Sequence, residues 1–154
     1  MKNLKFLLAL PVLLTVQNSF AQTDTHLKLS DQYPAAGEKV TLTYDPAGTV
    51  VDGKKDITAA VYYLDNENYP VADIDLKPQG NFLKGEIAIP EMAKAFLIKI
   101  SSDEKVDNNN DKGYVYLVYK GKQPVEGAYA SEAYLLSSGM GAYLAKIKPN
   151  VNEG

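Results

Sequence analysis

From Thr25 to Lys120, apolar and polar positions alternate in short runs that stop at turn residues, as strands with one buried face do. Lys39–Tyr44 is the cleanest run, with Val40, Leu42 and Tyr44 on one face and Thr41 and Thr43 on the other. Thr25–Ser30 alternates before it and stops at Asp31, with Pro34 and Gly37 in the following turn. Ile57–Leu64 is the most apolar run and predicts a central strand covered on both sides. Pro70–Leu76 is shorter, and its leading Pro suits a sheet edge. Pro78-Gln79-Gly80-Asn81 predicts a turn into Phe82–Ile89, where Leu83, Gly85, Ile87 and Ile89 share a face. Ala95–Ile100 sets Phe96, Ile98 and Ile100 against Leu97 and Lys99. A polar loop from Ser101 to Gly113 then leads into Tyr114–Tyr119, the seventh strand. This spacing predicts a mainly β chain folded as a seven-stranded, immunoglobulin-like antiparallel sandwich.

After Gly127 the period changes. Ala133, Leu136, Met140, Tyr143, Leu144 and Ile147 recur at three and four residues, which predicts a short helical tail broken at Ser137-Ser138-Gly139. Asn150 followed by Glu153 has the spacing of a helix N-cap and its capping partner. The tail is therefore expected to begin a C-terminal region missing from this chain, with an ordinary frayed terminus as the alternative. Leu135, Leu136, Met140, Tyr143, Leu144 and Ile147 are too many apolar groups for a solvated tail. They are expected to cover another surface, with self-association as one outcome.

The first 21 residues have a different character. Lys2 and Lys5 precede an apolar run from Phe6 to Val16, and Ser19-Phe20-Ala21 places small residues at −3 and −1 of a cleavage before Gln22. A spanning helix needs about 20 apolar residues, and this run is near half that with Pro11 inside it. The expected organisation is a signal peptide at 1–21, a sandwich at 22–127 and a helical tail at 128–154. The protein is then periplasmic or otherwise exported, with no membrane span.

Composition narrows the chemistry. Every one of the 16 basic residues is Lys, against 19 acidic ones, and an acidic chain without Arg is a poor nucleic-acid binder. There is no Cys, which removes disulfides, thiolate ligands and thiol nucleophiles. The single His, His26, leaves no material for a His-dependent triad or multi-His zinc site.

The stretches YPAAGEKVTLTYDPAGT, IPEMAKAFLIKI, KVDNNNDKGYVYLVY and GAYASEAYLL resemble a group of exported Bacteroidetes proteins. These carry an immunoglobulin-like N-terminal domain, then helical segments, then a thioredoxin-like domain with a CxxC pair. The resemblance covers about Ser30 to Lys148, and VDNNNDKGYVY is its most specific piece. It implies the module and its exported location. It does not carry the redox activity, which needs a dithiol this chain lacks.

One cluster has ligand-like spacing. Asp107, Asn109 and Asp111 stand at i, i+2 and i+4, as the first three ligands of calcium loops do. An EF-hand would need Gly and Glu where Lys112 and Val118 stand, so the candidate is a calcium site of another kind. The competing reading is a tight loop in which Asx side chains bond their own backbone. Eleven Tyr are present; Tyr62, Tyr63 and Tyr69, or Tyr114, Tyr116 and Tyr119, are candidates for an aromatic platform, against the commoner role of packing across a sheet. Ser137-Ser138-Gly139-Met140-Gly141 contains GxG without the strand or Lys of a phosphate loop, and Asp73/Asp75 fit a solvated edge better than a glycosidase pair. The expected function is a non-catalytic recognition or spacer module, not an enzyme, with no cofactor unless calcium. Its partner would be another protein or a downstream domain of the same polypeptide. The alternative is a calcium-dependent glycan- or protein-binding module.

Overall fold

A computed structural model describes residues 26–65 and 68–149. The expected leader at 1–21 and the Asn150–Glu153 start signal lie outside the described residues. In chain order the strands are β1 (Leu27–Leu29), β2 (Lys39–Tyr44), β3 (Thr58–Leu64), β4 (Val71–Ile74), β5 (Lys77–Gln79) and β6 (Phe82–Ala88). They continue with β7 (Ala95–Ser102), β8 (Lys105–Asp107), β9 (Tyr114–Leu117), β10 (Tyr119–Lys120) and β11 (Gln123–Pro124). Two helices follow, α1 (Ala128–Ser137) and α2 (Met140–Ala145). The protein is mainly β, and its sheets are antiparallel.

Strands β1, β2, β6 and β5 form the first sheet in that order. Strands β4, β3 and β7 form the second, where β9 pairs with Ala95–Ile98 of β7 and β8 pairs with Ile100–Ser102. The period-two pattern decides which way each sheet faces. Val40, Leu42 and Tyr44 from β2 join Val61 and Tyr63 from β3 and Phe96, Ile98 and Ile100 from β7 in one buried cluster. The apolar faces of the two sheets thus share a core, each large side chain contributing roughly 1.5–3 kcal/mol by leaving water. The Tyr63 hydroxyl crosses that core to donate to the Ala88 carbonyl at 2.7 Å.

Strand β7 is buried on both faces. Leu97 points away from the shared core and, with Leu64 and Val115, would leave an apolar strip in water. Leu135, Ala145 and Ile147 from the helical segment cover it, forming a second cluster. Gly141 makes this layer possible, because a Cβ there would lie 2.6 Å from the Leu135 carbonyl oxygen. The break between the helices falls at Ser138 and Gly139, the latter left-handed at φ 75°, close to where the spacing placed it.

The expectation of seven strands is corrected to eleven among the described residues. The predicted turn at Pro78–Asn81 is narrower: Lys77–Gln79 pairs with β6, and Gly80, at φ 62°, turns the hairpin with Asn81. The predicted loop from Ser101 opens with a hairpin, in which Asp103 (φ 52°) and Glu104 turn the chain between β7 and β8. Tyr114–Tyr119 is not one strand, because the chain changes partner at Val118. Its N–H still bonds Lys94 O at 2.9 Å, but its carbonyl accepts from the Val125 N–H at 2.9 Å and the Tyr119 N–H donates to Pro34 O at 2.9 Å. The added strands have two or three residues, too short for alternation to reveal, and backbone pairing alone defines them.

Gly85 sits mid-strand in β6, where a Cβ would meet Ile74 Cγ2 at 2.5 Å and Leu76 Cδ2 at 3.2 Å. Its missing side chain lets the passage from β4 to β5 lie against the first sheet. Gly85→Val is expected to cost about 1–3 kcal/mol in urea unfolding through this overpacking. Unchanged stability would show that the passage has room to move.

Candidate functional site

The Asp107–Gly113 loop leaves β8 at Asp107 and enters β9 at Tyr114. Asn109, Asn110 and Asp111 are all left-handed, at φ 51°, 54° and 69°, and Gly113 follows at φ 72°. Asn and Asp tolerate that region because their short polar side chains bond locally. Here Asp107 Oδ1 accepts from the Asn109 N–H at 3.1 Å, and Gly113 N–H donates to Asn108 O at 2.8 Å. Asn109 Nδ2 donates to Gly113 O at 2.9 Å, closing the loop across its base.

Asp107 is 7% exposed. Its Oδ2 accepts from two hydroxyls, Tyr44 of the first sheet at 2.6 Å and Tyr114 of the second at 2.7 Å. The Tyr44 hydroxyl also lies 3.2 Å from Thr49 Oγ1, but its single proton goes to the shorter bond with the carboxylate. The two rings meet edge to face, 6.3 Å apart. Burial, and then the bond to Asp107, push the Tyr44 hydroxyl well above the usual tyrosine range.

The other side of the loop holds the chain after α2. Asn108 Nδ2 donates to Lys146 O at 2.9 Å, and Lys146 Nζ reaches back to Glu104 O at 2.8 Å. Lys148 Nζ contacts Asp111 Oδ2 at 2.7 Å, and the same carboxylate accepts from Asn108 Nδ2 at 2.9 Å. The Asp111 bond raises the Lys148 ammonium above its ordinary range. Between these contacts Ile147 is buried, packed where a Cβ on Gly113 would stand.

The three sequence-predicted ligands are thus close in the chain but turned to different work. Asp107 faces the two tyrosines, Asn109 bonds the loop's own backbone, and Asp111 faces Lys148 and Asn108. Among the described residues no group of three or more His, Cys, Asp or Glu is placed to hold a metal. The arrangement as it stands holds the loop, the two sheets and the C-terminal segment together.

The tyrosine candidates separate. Tyr63 and Tyr114 are buried, and Tyr116 stacks on Phe96 at 5.4 Å. Tyr62 lies on the opposite face of β3 from Tyr63 and packs toward the helices. Tyr119 meets Tyr33 edge-on at 5.2 Å, and Tyr69 stacks on Tyr134 of α1 at 6.1 Å. Neither run of three makes one platform. His26 Nδ1 donates to the Asp45 carbonyl at 3.2 Å beside the β1–β2 pairing, and Asp75 pairs with Lys77 at 3.2 Å on the exposed edge. The sequence reading missed Tyr44, Asn108, Lys146 and Lys148. Two buried hydroxyls on strands, each requiring a partner, were the available signal for Tyr44 and Tyr114.

No protein-family model matches this chain, and no curated protein matches it. Among the described residues no helix is long and apolar enough to cross a membrane.

Asp107→Ala would strand two buried hydroxyls and is expected to cost about 2–4 kcal/mol in urea unfolding, with Tyr44→Phe and Tyr114→Phe each costing less. A loss below about 0.5 kcal/mol would show that water replaces the carboxylate without penalty. Because the Tyr44 pKa is raised on folding, its contribution is complete below the unfolded value near 10 and falls away as pH rises beyond it. Stability measured from pH 9 upward should therefore drop, and Tyr44→Phe should flatten that drop; equal slopes would contradict the assignment. Millimolar calcium is expected to leave the melting temperature unchanged, whereas a rise of several degrees would mean that the cation takes over the loop.

Proposed function

We propose that this chain is a non-catalytic, immunoglobulin-like sandwich module of an exported envelope protein, acting as a spacer that fixes the direction in which its C-terminal segment leaves. The observation that carries this reading is the grip of the Asp107–Gly113 loop on Lys146–Lys148. Two side chain-to-backbone bonds, one ion pair and the buried Ile147 hold that segment against the second sheet. Four contacts on three consecutive residues fix the direction of the chain at that point. The two facing antiparallel sheets support the sandwich class. The leader pattern at 1–21 supports export to the periplasm or beyond, and the resemblance to Bacteroidetes thioredoxin-like proteins supports a downstream domain as the thing positioned. That resemblance lends no redox role to a chain without Cys.

The direct experiment appends a rigid folded domain after Gly154 and measures distances between a spin label on it and one at exposed Lys84. The parent is expected to give a narrow distance distribution. Asn108→Ala combined with Lys148→Ala should broaden it while the strand signal in circular dichroism is kept. A parent distribution as broad as the variant's would remove the spacer reading.

A further inference from the structure

The helical layer presents a face whose composition does not suit water. Residues 128–145 contain one charged side chain, Glu132, in a protein that is 23% charged. Even that carboxyl is half-buried, and burial pushes its pKa up. Tyr129, Ala130, Ala133, Tyr134 and Ser137 are all exposed, and at 3.6 residues per turn they form one continuous face about 140° wide. It lies opposite Ala128 and Leu135, which are buried. A helix lying on the outside of a sheet ordinarily turns charges outward. This one turns out two rings that are 66% and 44% exposed with two alanines between them.

The order of these residues is symmetric about the Ser131–Glu132 pair within α1. Tyr129-Ala130 stands before Ser131-Glu132, and Ala133-Tyr134 stands after it. When such a helix meets an antiparallel copy of itself at a two-fold axis, position 130 faces 133 near the centre, while Tyr129 and Tyr134, about 140° apart, each lie along one flank beside their own copies. Small then meets small at the centre, where the backbones must approach, and ring meets ring along both flanks. A closed two-fold pair requires this kind of self-complementary patch. Tyr134 is also braced before any encounter, because Tyr69 stacks on it within 12° of parallel. Holding that ring in advance lowers the ordering cost of association.

We infer that the exposed face of α1 is a homodimer interface, occupied by α1 of a second copy running antiparallel. The inference goes beyond the spacer reading and rests on separate residues, so either can fail alone. An uncharged face gives a charged partner nothing to pair with, while a copy of itself supplies the matching rings and the matching gap. A ten-residue helix is about 15 Å long, so the contact falls below the ~1,200 Å² of stable complexes and the dimer is weak, on the order of 100 μM.

The test uses the chain expressed with its leader and purified as an exporting host processes it. Sedimentation between about 10 μM and 1 mM should show reversible dimerisation. Ala133→Lys, at an exposed position that leaves the core intact, should weaken it by about tenfold or more. Because the chain has no Cys, single-Cys variants report the geometry cleanly. A mixture of Ala130→Cys and Ala133→Cys chains should form the mixed disulfide faster than either variant links to itself. A monomer across the whole range overturns the inference, as does association untouched by Ala133→Lys or cross-linking without the mixed preference. A monomer whose Tyr129 and Tyr134 signals move on adding an oligosaccharide would overturn it in favour of a glycan platform.

Discussion

Asp107 ends β8 inside the protein, where its carboxylate accepts hydroxyl bonds from Tyr44 of one sheet and Tyr114 of the other, and a backbone bond from Asn109. Burying such a group without partners is costly, and a buried tyrosine hydroxyl without an acceptor is costly as well. Brought together, the three groups satisfy one another, and among the described residues no buried side-chain nitrogen or oxygen lacks a partner. Apart from the Tyr63 hydroxyl on Ala88 O, the sheets are joined by apolar packing, which is strong but indifferent to small slips. The carboxylate adds a directional tie, because it accepts both hydroxyls only when β2, β8 and β9 stand in one register.

The rest of the site hangs from that tie. With Asp107 fixed, the following residues must loop out and rejoin the same edge of β7, in the same direction, within six positions to begin β9. The left-handed run at Asn109–Asp111 makes that excursion. The loop so formed offers Asn108 and Asp111 outward, and these hold Lys146 and Lys148. The ion pair itself is exposed and screened, so it adds specificity of position more than stability. Ile147, buried against Gly113, supplies the apolar part of the hold. A polar core group thus fixes, through one loop, where the chain after α2 runs.

Much of the fold was legible from alternation. Val40, Leu42 and Tyr44 in β2 and Phe96, Ile98 and Ile100 in β7 read correctly because each strand has one face in the shared core. Strands such as Lys77-Pro78-Gln79 and Lys105-Val106-Asp107 did not, since edge strands this short are defined by backbone pairing and carry no apolar rhythm. The helical spacing after Gly127 was legible, while the surface it covers was not. Leu97 had to be recognised as facing away from the core before Leu135 and Ile147 had a destination. For the site, the spacing of Asp107, Asn109 and Asp111 drew attention to the loop that lies between the two sheets and the C-terminal segment, as a calcium candidate. Their partners were hidden, because Tyr44 lies 63 positions from Asp107 and Lys148 lies 37 from Asp111. Spacing reports which side chains are near in sequence, and only the packing of the sheets reports what they face.

Amide hydrogen exchange, comparing the parent with Asp107→Asn, tests the central tie most directly. The asparagine keeps the shape but replaces one of the two acceptor oxygens with an amide donor, which must then face either the two hydroxyls or the Asn109 N–H. The Gly113 N–H, bonded to Asn108 O, and the Ile147 N–H, bonded to Gly141 O, should then lose protection together. The N–H groups within the β3–β7 pairing should keep most of theirs. Exposure confined to the loop, with Ile147 still protected, would contradict the account by showing that the C-terminal segment is held without Asp107.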